Sequence, residues 1–380
     1  MSAEVKNRVE GSVVAELTSK ITVTKSIDSL VPYPPGKPIE ELERELGITG
    51  SIKLASNENP LGPSKKAVAA IGAALGTLHR YPDGSNYYLK EALAERLKIT
   101  TDALIFGNGS NEIIELLFRT FCSVGDEIVM GEPSFAVYPL ISQAAGAVAV
   151  LVPLDSELKH DLDAMAEAIT EKTRIVFIAN PNNPTGTIVE KEAFSAFMAK
   201  VPKGVIVVMD EAYCEYVTSA EYPDSIEYVK SGALVVVLRT FSKIYGLAGL
   251  RIGYGIANPT IVGYMDRVRQ PFNVNALAQA AALGALSDDG HLEASVKNNT
   301  EGFEFLEGEL KGMGLQVVPT EANFFLVEVG DGKGVYDGLL KQGVIVRPMA
   351  SYGLGHYIRV TIGLPEENSR FIAALKNVIG

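Results

Sequence analysis

Short apolar runs rich in valine and isoleucine alternate with stretches of helical spacing through the first three quarters of the chain. Residues 127–130, 148–153, 174–179, 205–209 and 233–238 read as strands, and the runs at 174–179 and 233–238 are apolar enough to be buried on both faces. Residues 162–169 and 190–199 lie between them with helical periodicity. Upstream, residues 52–55 form a short strand, Ser64 caps a helix reaching about Leu75, and residues 87–97 are helical. A strand at 103–106 then breaks at Gly-Asn-Gly-Ser-Asn-Glu (107–112) before an amphipathic helix at 113–121. Buried strands alternating with helices predict an α/β fold: a mainly parallel sheet of the seven-stranded type with helices on both faces. Ligands of such sheets gather at the carboxyl ends of the strands.

The texture changes near Asn275. An alanine-rich helix at 276–285 and a longer one at about 295–311 precede strand-like pieces at 315–318, 324–329, 344–347 and 357–362, and residues 366–378 make a last helix. This predicts a large domain over 51–275 and a smaller α+β domain over 276–380. Before them, residues 1–30 carry little pattern and are expected to be flexible. Residues 31–50 form an arm whose Pro-Tyr-Pro-Pro-Gly-Lys-Pro run must be extended and suits lying across another surface.

Composition narrows the function. The 380 residues are 47% hydrophobic, and no apolar run approaches the ~18 residues of a membrane helix. The start of the chain lacks a signal-peptide pattern, so the cytoplasm is expected. A net charge of −12 argues against nucleic acid or an anionic membrane as partner. The four histidines show no metal-ligand spacing, and Cys122 and Cys214 read as core residues.

Three successive strands place Asn183, Asp210 and Lys243 at their carboxyl ends, a coincidence stronger than any single motif. Lys243 sits in Thr-Phe-Ser-Lys-Ile-Tyr-Gly, an apolar setting that lowers the proton affinity of an amine and suits it to act as nucleophile or base. Thr240, Ser242 and Arg251 around it can hold a phosphate. The turn at 107–112 fits a phosphate equally well or is an ordinary strand-to-helix connection. A lysine amine, a carboxylate for a pyridine nitrogen, donors for a ring oxygen at Asn183 and Tyr213, and a phosphate grip together suggest pyridoxal phosphate. Read blandly, Asp210 is a turn cap, Tyr213 and Phe135 are packing, and Arg347 and Arg359 are surface ion pairs.

Asn-Pro-Asn-Asn-Pro-Thr-Gly (180–186), Asp-Glu-Ala-Tyr (210–213) and Ser-Lys-x-x-Gly-Leu-Ala-Gly-Leu-Arg-x-Gly-Tyr (242–254), in that order, resemble the class I/II aminotransferases of pyridoxal-phosphate fold type I. The resemblance implies that Lys243 joins the cofactor aldehyde and Asp210 pairs with its ring nitrogen. Tyr213 and Asn183 would bond the ring oxygen, and Phe135, where the family often has tyrosine, would stack on the ring. Gly109, Ser110, Asn111, Thr240, Ser242 and Arg251 would hold the phosphate, with Tyr81 reaching over from the partner of a homodimer. Ala-Ser-Asn-Glu-Asn-Pro (55–60), Arg-Tyr-Pro-Asp (80–83) and Ile-Arg-Val-Thr-Ile-Gly (358–363) resemble the branch that acts on histidinol phosphate with 2-oxoglutarate and glutamate as the other pair. They imply substrate contacts at Tyr33, Asn59, Arg347 and Arg359. Decarboxylation of threonine phosphate and transamination of aromatic amino acids are the alternatives within the fold. A regulator that binds the cofactor without turnover would carry an added DNA-binding segment, for which the short acidic N-terminus gives no sign.

Overall fold

The computed structural model describes residues 22–33 and 36–380. Of the segment 1–30 expected to be flexible, residues 1–21 lie outside the described residues. In the remainder the short helix Lys25–Asp28 lies on the helix Val137–Ala144, where Gln143 Nε2 donates to the Ser26 carbonyl and Ser29 Oγ, both at 3.0 Å.

Thirteen strands among the described residues form three sheets. In chain order they are β1 (Ile52–Lys53), β2 (Leu104–Gly107), β3 (Glu127–Glu132), β4 (Val148–Pro153), β5 (Thr173–Ala179), β6 (Ile206–Asp210), β7 (Val235–Thr240), β8 (Gly253–Ala257), β9 (Gln316–Val317), β10 (Phe324–Glu328), β11 (Val344–Ile345), β12 (Arg347–Pro348) and β13 (Tyr357–Thr361). The large sheet runs β2-β8-β7-β6-β5-β3-β4. Its pairs are parallel except where β8 lies antiparallel between β2 and β7. This is the α/β sheet the alternation predicts, and alternate residues of β5 show why it is buried on both sides. Val176 and Ile178 join one core, Ile175 and Phe177 the other, all fully buried. Each such side chain contributes roughly 1.5–3 kcal/mol by leaving water.

β8 is absent from the sequence reading because Gly253 and Gly255 deprive it of a strand's usual side chains. At Gly253 the bare backbone is required: a Cβ there would lie 2.5 Å from the Ser110 nitrogen and 2.8 Å from the Gly109 carbonyl carbon. The missing side chain thus lets the helix Ser110–Phe121 begin directly against the sheet.

The smaller body is built on the antiparallel sheet β12-β13-β10-β9, whose core includes Phe325, Val327, Ile358 and Val360. The stretch 344–347, expected as one strand, divides: β11 pairs with β1 in a two-stranded parallel sheet, and β12 pairs with β13. That division turns Arg347 into the sheet that carries Arg359. The boundary expected at 275/276 also meets a different packing. The helix Ala276–Leu286 lays Ala278, Ala281, Ala282 and Ala285 into the core of the large sheet, beside the helix Lys65–Ala74. Among the described residues no helix is long and apolar enough to cross a membrane.

Candidate active site

The carboxyl ends of β5, β6 and β7 open onto a cavity of about 210 Å³ that also receives the turn after β2 and the arginines of β12 and β13. Lys243 stands three residues beyond β7. Its Nζ donates to the Ser56 carbonyl at 3.3 Å and lies 5.3 Å from the centre of the Tyr213 ring. Burial, reinforced by the positive charge of Arg359 and Arg251, lowers its pKa to about 8. The neutral amine is therefore easier to reach than in an exposed lysine.

Asp210 is the last residue of β6 and is 5% exposed. Tyr138 donates to its Oδ2 at 2.7 Å, whereas its Oδ1 is buried with no partner among the described residues. Burial raises its pKa to about 6, against the lowering effect of the bonds from Tyr138 and the Ala212 amide. An orphaned, desolvated carboxylate oxygen lining a cavity is suited to a cationic N–H. Asn183 Oδ1 accepts from Arg359, and the Tyr213 hydroxyl accepts from Asn57 Nδ2 at 3.0 Å. Phe135 lines the same cavity, half-buried and edge-on to Tyr138 at 5.5 Å and 87°.

At the opposite wall the helix Ser110–Phe121 starts after Gly109, which has φ +74°. A Cβ on Gly109 would meet Arg251 Nη2 at 2.5 Å, so only glycine lets that guanidinium close over the helix start. Arg251 itself bonds Ser242 Oγ at 3.4 Å, and the Ser242 amide donates to Thr240 Oγ1 at 3.1 Å. Free helix N–H groups, two hydroxyls and an arginine at one point make an anion cradle. The turn at 107–112 thus brings Gly109, Ser110 and Asn111 to the cavity beside Arg251 and Ser242.

Arg347 and Arg359 are cross-strand partners on β12 and β13, 8% and 6% exposed, and both line the cavity. Arg359 also donates to the Ala55 carbonyl at 3.0 Å, and the Arg347 guanidinium lies 5.6 Å from the Tyr33 ring. Burial depresses the pKa of Arg359.

Two residues named from sequence lie elsewhere. Asn59 does not line the cavity; its Nδ2 donates to the Ile244 carbonyl at 2.6 Å and Ser295 Oγ at 2.9 Å, which ties down the loop of Lys243 from behind. Tyr81 is 84% exposed and stacks on Phe272 at 4.9 Å, outside the cavity of its own chain. Conversely, Asn57 and Tyr138 line the cavity and were not singled out. Tyr138 follows Phe135 by three residues, and nothing in that spacing marks it as a partner of Asp210.

Tested against pyridoxal phosphate, the residues fit: a half-buried lysine of lowered basicity, a buried carboxylate oxygen lacking a partner, and a cradle that a single Cβ at Gly109 would obstruct. Residues 49–375 match the family model "Aminotransferase class I and II". The chain belongs to that family. As an aminotransferase it is 52% identical to the histidinol-phosphate aminotransferase of Moorella thermoacetica, over 93% of this chain and 92% of that one. It is 47% identical to histidinol-phosphate aminotransferase 1 of Idiomarina loihiensis, over 97% and 100%. The fold of this aminotransferase, of pyridoxal-phosphate type I, superposes on the crystal structure of the Sinorhizobium meliloti histidinol-phosphate aminotransferase in complex with pyridoxal-5′-phosphate. The TM-score is 0.86 and the identity 28%, covering 94% of this chain and 97% of that one.

Proposed function

We propose that the protein is a histidinol-phosphate transaminase. It takes the amino group from L-histidinol phosphate, leaving imidazole-acetol phosphate, and passes it to 2-oxoglutarate to give glutamate, as a step of histidine biosynthesis. The observation that carries the reading is the pair of nearly buried arginines, Arg347 and Arg359, held opposite one another and facing the cavity of Lys243. Both side chains line the cavity, and a planar guanidinium matches a carboxylate or a phosphate with two parallel N–H bonds. The pair is separate from the anion cradle at Arg251, so one site serves the cofactor phosphate and the other the substrate's phosphate or the carboxylates of 2-oxoglutarate.

When bound, pyridoxal phosphate supplies an aldehyde that takes up the amino group and a ring that withdraws electrons from the adjacent carbon. Gly109, Ser110, Asn111, Thr240, Ser242 and Arg251 would hold its phosphate, with Phe135 against the ring. Asp210 Oδ1 would accept from the ring N–H, and Asn183 and Tyr213 would donate to the ring oxygen. Lys243 Nζ would take up the proton from the substrate carbon that bears nitrogen and would return it on the far side of that nitrogen. Its lowered pKa suits both halves of that transfer. Tyr33 and Arg347 close the substrate end.

The active unit is a homodimer in the cytoplasm. The exposed Tyr81–Phe272 stack is suited to an interface, and the Tyr81 hydroxyl then reaches the phosphate of the partner's cofactor. The deciding experiment mixes the loaded enzyme with histidinol phosphate and follows the visible cofactor band. The band should convert on addition and return with 2-oxoglutarate. Release of CO₂ from threonine phosphate without amino transfer would overturn the reading.

A further inference from the structure

Asn57 is 1% exposed, adopts the left-handed conformation (φ 56°) and joins segments remote in sequence. Its backbone amide donates to Thr361 Oγ1 at 2.9 Å, and that hydroxyl donates in turn to Asn57 Oδ1 at 3.2 Å. Asn323 Nδ2 donates to the Asn57 carbonyl at 3.1 Å. The Thr361 bonds fix which way the amide is turned, because the threonine proton needs an acceptor and finds it in Oδ1. Nδ2 is thereby presented to the Tyr213 hydroxyl at 3.0 Å. A phenol oxygen has one proton. With Asn57 donating to it, that proton points away from Asn57 and into the cavity.

We propose that Asn57 is a positioning residue that sets the Tyr213 hydroxyl as a donor toward the cofactor's ring oxygen, and that Thr361, two residues beyond Arg359 on β13, holds it in that orientation. The proposal rests on the pyridoxal-phosphate reading above. A donor at the ring oxygen competes with the neighbouring imine proton, so it lowers the pH at which the loaded enzyme loses that proton and changes colour. The other charged groups beside Tyr213 are Lys243, Asp210 and Arg359, and all remain in the variants below.

The test titrates the visible absorption of holoenzyme against pH. Glycine tolerates a positive φ, so Asn57→Gly removes the amide while keeping the backbone path. Asn57→Asp keeps the size but removes the donor. Both are expected to raise the titration midpoint by about one unit, a tenfold change in proton affinity, and Tyr213→Phe to raise it at least as far. Asn57→Gly added to Tyr213→Phe should move it little further, because the amide acts through the hydroxyl. Thr361→Val should shift it in the same direction, and Thr361→Ser should restore the wild-type value. An unchanged midpoint in both Asn57 variants, or shifts that add in full in the double variant, would overturn the proposal. Wild-type protein that develops no visible band with pyridoxal phosphate overturns the cofactor reading, and this proposal with it.

Discussion

The two oxygens of Asp210 differ, since one is held by Tyr138 and the other has no partner among the described residues. Tyr138→Phe removes a bond that favours the charged carboxylate, so the pKa of Asp210 rises above about 6. The carboxylate is the working form and is lost as pH falls through that pKa. The acid limb of the kcat/KM profile should therefore move to higher pH, about tenfold in rate per unit below it, with a stability cost of about 1–2 kcal/mol in urea unfolding. Lys243 gives the opposite sign. Its folded pKa of about 8 lies below the unfolded 10.5, so its buried charge is a full penalty below pH 8 and is relieved between 8 and 10.5. Cofactor-free Lys243→Met protein should be inactive yet more stable at pH 7, by on the order of 1–3 kcal/mol, with the advantage gone near pH 10.5. Lys243, Asp210 and Asn183 were legible in the sequence because a strand end says where its polar residue goes. Tyr138 and Asn57 were not, since their partners lie 72 and 156 residues away and nothing local marks the contact.

At the scale of elements, the start of the helix Ser110–Phe121 depends on β8 lacking a side chain. Gly253→Ala puts a methyl group 2.5 Å from the Ser110 nitrogen and 3.0 Å from the Arg239 carbonyl, with backbone on both sides and no flexible group to yield. The helix start must retreat from Arg251. Cofactor affinity measured by fluorescence should fall at least tenfold, and unfolding should show a loss of about 1–3 kcal/mol. The glycines that make this geometry possible are also what hid β8, for strand reading relies on the side chains they lack. The large sheet was otherwise legible because its central strands β5, β6 and β7 are buried on both faces and read as unbroken apolar runs. Single short runs fared less well. Residues 344–347 show nothing that distinguishes one strand from two, and the division depends on β1 and β13, each far off in sequence.

The molecule as a whole carries a net charge of −12, yet gathers Lys243, Arg251, Arg347 and Arg359 into one cavity. An anion is thus favoured only at close range, where these four cationic side chains outweigh the general field. Association into the dimer should show as a species of twice the chain mass in sedimentation. Tyr81→Phe retains the ring on Phe272 and so should leave the dimer intact, while the lost hydroxyl weakens retention of the cofactor by about tenfold, or ~1.4 kcal/mol. Unchanged retention in an intact dimer would show that Tyr81 does not cross to the partner.

The bond between Asn57 and Thr361 spans 304 residues. A ribosome adding roughly 5–20 residues per second takes about 15–60 s to travel that distance. Through that interval the large sheet emerges complete with Lys243, Asp210 and the phosphate cradle, while the segment before it waits for β11 and β13. The nascent chain therefore owns its reactive lysine well before it owns a closed pocket. Arg347 and Arg359 are the last lining residues of the cavity to be synthesised, so their wall is completed after the rest.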